Sequence, residues 1–136
     1  MIVADTNIIT YLLLPTSYTS SVDSLYKIDS DWAAPRLWKS EFRNVLALYL
    51  RKKIITLEKA LQLQDMAESI IDRNEFDISS PQILALIESS NCSSYDCEFI
   101  ALANQLNIPL VTQDKKILKE FPSRAISVVG FLSSSS

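Results

Sequence analysis

Residues 93–114 read SSYDCEFIALANQLNIPLVTQD, and this stretch decides the fold. Ser93 or Ser94 is suited to cap a helix, because a serine hydroxyl accepts from the free amides of a first turn. From Tyr95 to Gln105 the chain is rich in helix formers, with Phe99, Ile100 and Ala103 on one face. Asp96 stands three and four residues before Phe99 and Ile100, so it shares their inward face. Asn107 is placed to stop the helix in the left-handed conformation. Pro109 then opens the apolar run Leu110, Val111, Thr112, which reads as a buried parallel strand. That run ends in Gln113 and Asp114. A helix with an inward acid in its first turn, followed by a strand with an acid at its carboxyl end, aims two carboxylates at one sheet edge. In open α/β sheets that edge binds ligands.

The N-terminus repeats the device. Met1 to Ala4 is a short apolar strand ending in Asp5, and Thr6 or Asn7 is placed to cap an amphipathic run from Ile8 to Leu14 that Pro15 stops. A single aspartate before a helix is ordinarily a cap. A third acid comes from Trp38 to Leu50, where Trp38, Phe42, Val45, Leu46 and Tyr49 follow helical spacing and Glu41 lies inside their stripe. A charge on a buried face is costly unless it is compensated, and Arg36, Lys39 and Arg43 are near enough in sequence to pair with Glu41. Asp5, Glu41, Asp96 and Asp114 taken together have one economical explanation, a divalent cation. Hard ions such as Mg²⁺ and Mn²⁺ take oxygen ligands.

The remaining segments alternate. Thr16 to Ser21 reads as a polar loop, Val22 to Ile28 as a short helix and Asp31 to Pro35 as a short strand. Glu41 to Lys53 and Leu57 to Ile71, the second capped by Thr56, read as an αα-hairpin. Phe76 to Ile78 is a strand, and Ser80 with Pro81 opens a helix to about residue 90. Lys115 to Phe121 is a short helix and Ala125 to Val129 the last strand. The expected class is therefore α/β, with a parallel sheet of four or five strands flanked by helices. Its 136 residues suit a single domain over 1–132, followed by a disordered serine tail at 133–136.

Composition narrows the chemistry. The chain has no histidine, which removes two-histidine RNases, Ser-His-Asp hydrolases, Cys-His proteases and histidine-ligated zinc sites. One glycine, Gly130, removes glycine-rich phosphate loops. Cys92 and Cys97 read as two free thiols. No apolar run approaches the ~18 residues of a membrane span, and no basic leader is seen, so a cytoplasmic protein with no membrane contact is expected.

The motifs DTN at Asp5 to Asn7, SEFRN at Ser40 to Asn44, YD at Tyr95 and Asp96, and VTQD at Val111 to Asp114 resemble, in order and spacing, the acidic motifs of PIN-domain nucleases. The likeness is to the VapC-like toxins of toxin-antitoxin pairs in particular, and it covers essentially the whole chain. It implies a PIN-like three-layer fold and a metal-dependent endoribonuclease. Asp5, Glu41, Asp96 and Asp114 match the family's acidic quartet as catalytic and metal-binding residues, with Asn7 and Thr112 in support. It also implies one or two Mg²⁺ or Mn²⁺ ions, products with 5′-phosphate and 3′-hydroxyl ends, a homodimer and a cognate antitoxin protein. The apolar surface of the Glu41 to Ile71 hairpin is a candidate contact for either partner.

Arg36, Lys39, Arg43, Lys115 and Lys116 are candidates to grip RNA, though each also reads as a solvated surface charge. A net charge of −3 runs against nucleic-acid binding; two divalent ions at the quartet bring the formal sum to +1. Two other readings stand beside this one. A non-catalytic PIN-like binding module would use the acids to hold a structural ion or a partner's arginines. An α/β metal-dependent phosphoryl-transfer domain would want Asp-x-Asp after the first strand, where Asn7 stands instead.

Overall fold

The computed structural model of the protein describes residues 1–135. Its elements run β1 (Ile2–Ala4), α1 (Thr6–Leu13), α2 (Thr19–Ile28), β2 (Trp32–Pro35), α3 (Trp38–Arg51), α4 (Leu57–Ile71), β3 (Glu75–Phe76), α5 (Ser80–Glu88), α6 (Ser94–Leu106), β4 (Leu110–Val111), α7 (Lys115–Glu120), β5 (Ala125–Ile126) and α8 (Val128–Ser134). All strand pairings are parallel, in the order β3-β2-β1-β4-β5. The α/β class with a five-stranded parallel sheet flanked by helices is as the sequence led us to expect.

The central strand explains the order. Ile2, Val3 and Ala4 are all buried, so β1 needs covering on both faces and pairing on both edges. Val3 pairs with Ala33 on one side and with Leu110 on the other. The chain therefore builds outward through β2 and β3, then returns to the opposite edge of β1 for β4 and β5. The order reverses between β1 and β4, which places a crevice at the carboxyl ends of those two strands.

Helix α6 covers one face of this centre. Ser93 caps it by accepting from the Asp96 amide at 3.1 Å, and Asn107 ends it in the left-handed region at φ 55°, ψ 48°. Asparagine tolerates that conformation better than most residues. Phe99, Ile100 and Leu102 are essentially inaccessible, and each contributes about 1.5–3 kcal/mol through burial. The helix packs on β1, β2 and β4, with α5 against it; α1 to α4 pack on one another, α4 reaching β2. Trp38, Phe42 and Leu46 are the buried stripe of α3.

The chain's end departs from expectation. Residues 125–129 do not form one strand: β5 stops at Ile126, Ser127 accepts from the Gly130 amide at 3.0 Å, and Gln113 Oε1 accepts from the Val128 amide at 2.9 Å. Those two bonds begin a helix whose apolar residues, Val128, Phe131 and Leu132, recur at helical spacing. Ser133 and Ser134 lie in that helix rather than in a disordered tail; Ser136 lies outside the described residues. Helix α2 likewise begins at Thr19, inside the expected loop, because the Thr19 hydroxyl bonds the Tyr11 and Leu14 carbonyls and fixes the turn.

Candidate active site

Four chain segments bring one acid each to the crevice. Asp5 follows β1 and caps α1, accepting the Thr6 amide at 2.8 Å. Its own amide bonds the Val111 carbonyl at 3.1 Å, which ties the ends of β1 and β4 together. Asp114 follows β4 and caps α7, accepting the Ile117 amide at 3.0 Å. Glu41 comes from the first turn of α3 and Asp96 from the first turn of α6. All four line a single pocket of about 460 Å³, together with Thr6, Asn7, Thr10, Tyr11, Asn44 and Val45.

A network of side chains sets their positions. The Thr112 hydroxyl, fully buried, donates to Asp5 Oδ2 at 2.6 Å and accepts from the Asp114 amide at 3.0 Å. Asn7 Nδ2 reaches Asp5 Oδ2 at 3.4 Å and Thr112 Oγ1 at 3.5 Å, so Asn7 and Thr112 bond to the same carboxylate oxygen and to each other. Thr6 Oγ1 donates to Glu41 Oε1 at 2.7 Å. That link across 35 residues was not visible in the sequence, where Thr6 read only as a possible cap.

Burial and mutual charge act on three of the acids. Burial pushes the Asp5 carboxyl up to about 6, helped by the charges of Glu41 and Asp96 and opposed by its bonds from Thr112 and Thr6. Glu41 is raised by burial and by Asp96 and Glu98, against its bond from Thr6. Asp96 is raised by burial and by Asp114, with partial relief from Ser93 and Lys116. Among the described residues no ion pair involves any of the four, so the basic partner allowed for Glu41 does not materialise.

Carboxylates that repel turn to whatever donors are at hand, here hydroxyls and helix-capping amides. Among the described residues no three His, Cys, Asp or Glu side chains stand in an arrangement that holds an ion. The donor set nonetheless fits a hard cation. It is all oxygen, and Asn7 Oδ1 is buried with no hydrogen-bond partner on the pocket wall. A buried amide oxygen left unpaired is unusual and suits a site completed by another group.

The basic candidates are distributed otherwise. Arg36 pairs with Asp77 at 2.8 Å and Glu75 at 3.6 Å, and Lys39 with Glu75 at 3.5 Å, because β3 brings its own acids beside β2. Neither lines the acidic pocket. Arg43 is folded onto the Lys39 carbonyl at 3.2 Å. Lys115 and Lys116 are exposed at the start of α7, and the charge of Lys116 lowers Asp96. Cys92 and Cys97 are free and buried. No described helix is long and apolar enough to cross a membrane.

No curated protein sequence matches the chain. Among solved structures, PAE2754 from Pyrobaculum aerophilum is similar with a TM-score of 0.71 at 19% identity, over 98% of this chain and 95% of that one. FitAcB from Neisseria gonorrhoeae gives 0.70 at 16% identity, over 95% and 99%. A toxin-antitoxin complex from Klebsiella pneumoniae gives 0.68 at 17% identity, over 94% and 98%. At such identities the likeness is one of fold. The PIN domain family model, by contrast, matches the sequence itself over residues 2–122 and so takes in all four acids. The chain therefore belongs to the PIN domain family, whose members are generally nucleases.

Proposed function

We propose that the protein is a Mg²⁺- or Mn²⁺-dependent endoribonuclease that hydrolyses RNA phosphodiester bonds. One observation carries the reading: four acids from four separate segments line one pocket at the switch point of the sheet, and among the described residues no basic residue is paired to any of them. Asp5, Asp96 and Asp114 would hold one or two ions, with Glu41 as a further oxygen ligand, direct or through water. A divalent ion bound there supplies Lewis acidity towards a phosphodiester and lowers the pKa of water. The chain's own residues set the stage. Thr112 and Asn7 fix the Asp5 carboxylate, the Asp114 cap holds its side chain at the end of β4, and Thr6 anchors Glu41. Purified protein freed of any inhibitor is expected to cut single-stranded or structured RNA with Mg²⁺ or Mn²⁺. Full activity in EDTA refutes the reading.

The reading extends to a toxin with a cognate antitoxin. The Klebsiella pneumoniae neighbour is a toxin-antitoxin complex by description. The acidic pocket of this chain invites an inhibitory segment carrying a basic side chain. A homodimer completes it, for which the α3–α4 hairpin offers Leu48, Ile54, Leu57, Leu61 and Met66, each at least half exposed. Light scattering at high micromolar concentration is expected to give twice the chain mass; a strict monomer refutes the dimer.

A further inference from the structure

Beside the acidic pocket lies a second, smaller cleft of about 210 Å³, lined by Leu37, Ser40, Glu41, Asn44 and Tyr95. Glu41 and Asn44 belong to both cavities, so the cleft opens next to the four acids. Tyr95 immediately precedes Asp96 in the first turn of α6, is 60% exposed, and packs against no other aromatic ring among the described residues. A large ring held out in water beside a polar pocket is unfavourable surface that a ligand can cover. The cleft's occupant is constrained by charge. Its only charged wall is Glu41, which repels a phosphate, and its other groups are the Tyr95 ring, the Leu37 side chain, the Ser40 hydroxyl and the Asn44 amide. The Asn44 side-chain amide bonds to no described residue, leaving both a donor and an acceptor open. A flat, neutral group with hydrogen-bonding edges fits this set: a nucleobase.

We propose that this cleft is a base subsite, in which Tyr95 stacks on an unpaired base of the RNA adjoining the scissile phosphate while Asn44 and Ser40 contact its edge. The proposal rests on the ribonuclease reading and deepens it. A base can reach the ring face only when unstacked, so the subsite selects single-stranded over duplex RNA. The Arg43 guanidinium donates to the Ser40 hydroxyl at 3.5 Å, which leaves that hydroxyl's own proton free for a base edge.

The test uses full-length protein and short single-stranded RNAs carrying 2-aminopurine at successive positions, with binding read by fluorescence quenching and cleavage read separately in Mg²⁺. Tyr95 is a surface residue, so Tyr95→Ala leaves the fold intact. Wild type and Tyr95→Phe are expected to quench one position near the cut. Tyr95→Ala is expected to lose that quenching and to raise KM about 10-fold with kcat little changed, on the scale of one aromatic–base stack. An abasic nucleotide at the quenched position is expected to abolish the difference between wild type and Tyr95→Ala. Equal quenching in wild type and Tyr95→Ala, or no quenched position, overturns the subsite even if RNA is cleaved. Quenching that depends on Tyr95 in a protein that cuts nothing sustains the subsite and refutes the nuclease. A Tyr95→Ala effect confined to binding of a partner protein, with RNA binding unmoved, overturns it as well.

Discussion

Asp5→Asn is expected to make the metal-free protein more stable at pH 7.5 while severely reducing cleavage. The folded Asp5 carboxyl sits at about 6 against an ordinary 3.8, so keeping it ionised in the fold costs about 3 kcal/mol at 1.36 kcal/mol per pKa unit. Asparagine removes the charge and remains a good cap, but the hydroxyl of Thr112 must turn, which costs on the order of 1 kcal/mol. The net gain is about 2 kcal/mol, or a rise in Tm of roughly 6–8 °C for a domain of this size. The sign with pH follows from linkage. Between 3.8 and 6 the folded protein holds a proton that the unfolded chain has released, so wild-type stability rises as pH falls from 7.5 towards 5. Burial raises Glu41, Asp96 and Glu98 in the same direction, whereas the lowered carboxyl of Asp77 titrates below this window. The advantage of Asp5→Asn is therefore largest at pH 7.5 and shrinks by pH 5. Loss of the charge removes one ligand, and cleavage falls by about 10²-fold or more, the scale on which single preorganised electrostatic groups act. Thermal melts in EDTA across this pH range, paired with an RNA assay, check both arms. A destabilised Asp5→Asn would mean that the carboxylate serves the fold rather than the reaction.

Thr112→Val moves stability the other way. Valine matches the shape of a side chain with no exposed surface, so packing survives and only the hydroxyl is lost. That hydroxyl is a donor to an ionised carboxylate, worth about 1.5–3 kcal/mol, and the acceptor for the Asp114 amide, which is left without it at a further cost of about 1–3 kcal/mol. We expect a loss near 3 kcal/mol and about 10 °C in Tm, with a still higher Asp5 pKa and a fall in cleavage; Thr112→Ser keeps both bonds and most of the activity. A change below about 0.5 kcal/mol, ordinary for a surface position, would show that this network does not hold the site together.

The part of the molecule that was legible in the sequence is the part set by local rules. Ser93, the Phe99–Ile100–Ala103 face and Asn107 announce α6 because capping, helical period and a left-handed stop are all short-range. Asp96 and Glu41 stood out because the same periods placed charges among apolar neighbours, and the structure puts both on the wall of one pocket with Asp5 and Asp114. Long-range choices were not legible. Nothing local says that β4 pairs with β1 rather than with β3, yet that pairing makes the switch point. Neither the Thr6–Glu41 bond nor the capture of Arg36 and Lys39 by Glu75 and Asp77 follows from spacing, since each depends on which strands become neighbours. Helix α8 was missed for a different reason: a two-residue strand and a seven-residue helix share one apolar run, and only the Ser127 cap divides them.

A divalent cation completing the four acids of this pocket is a prediction open to direct measurement. Isothermal titration of the metal-free protein with Mn²⁺ at pH 7.5 tests it most directly, with wild type beside Asp5→Asn. Saturable binding of one or two ions by wild type, weakened at least tenfold in Asp5→Asn, is the predicted result. Absence of binding by wild type at millimolar Mn²⁺, or equal binding by the two proteins, would contradict it.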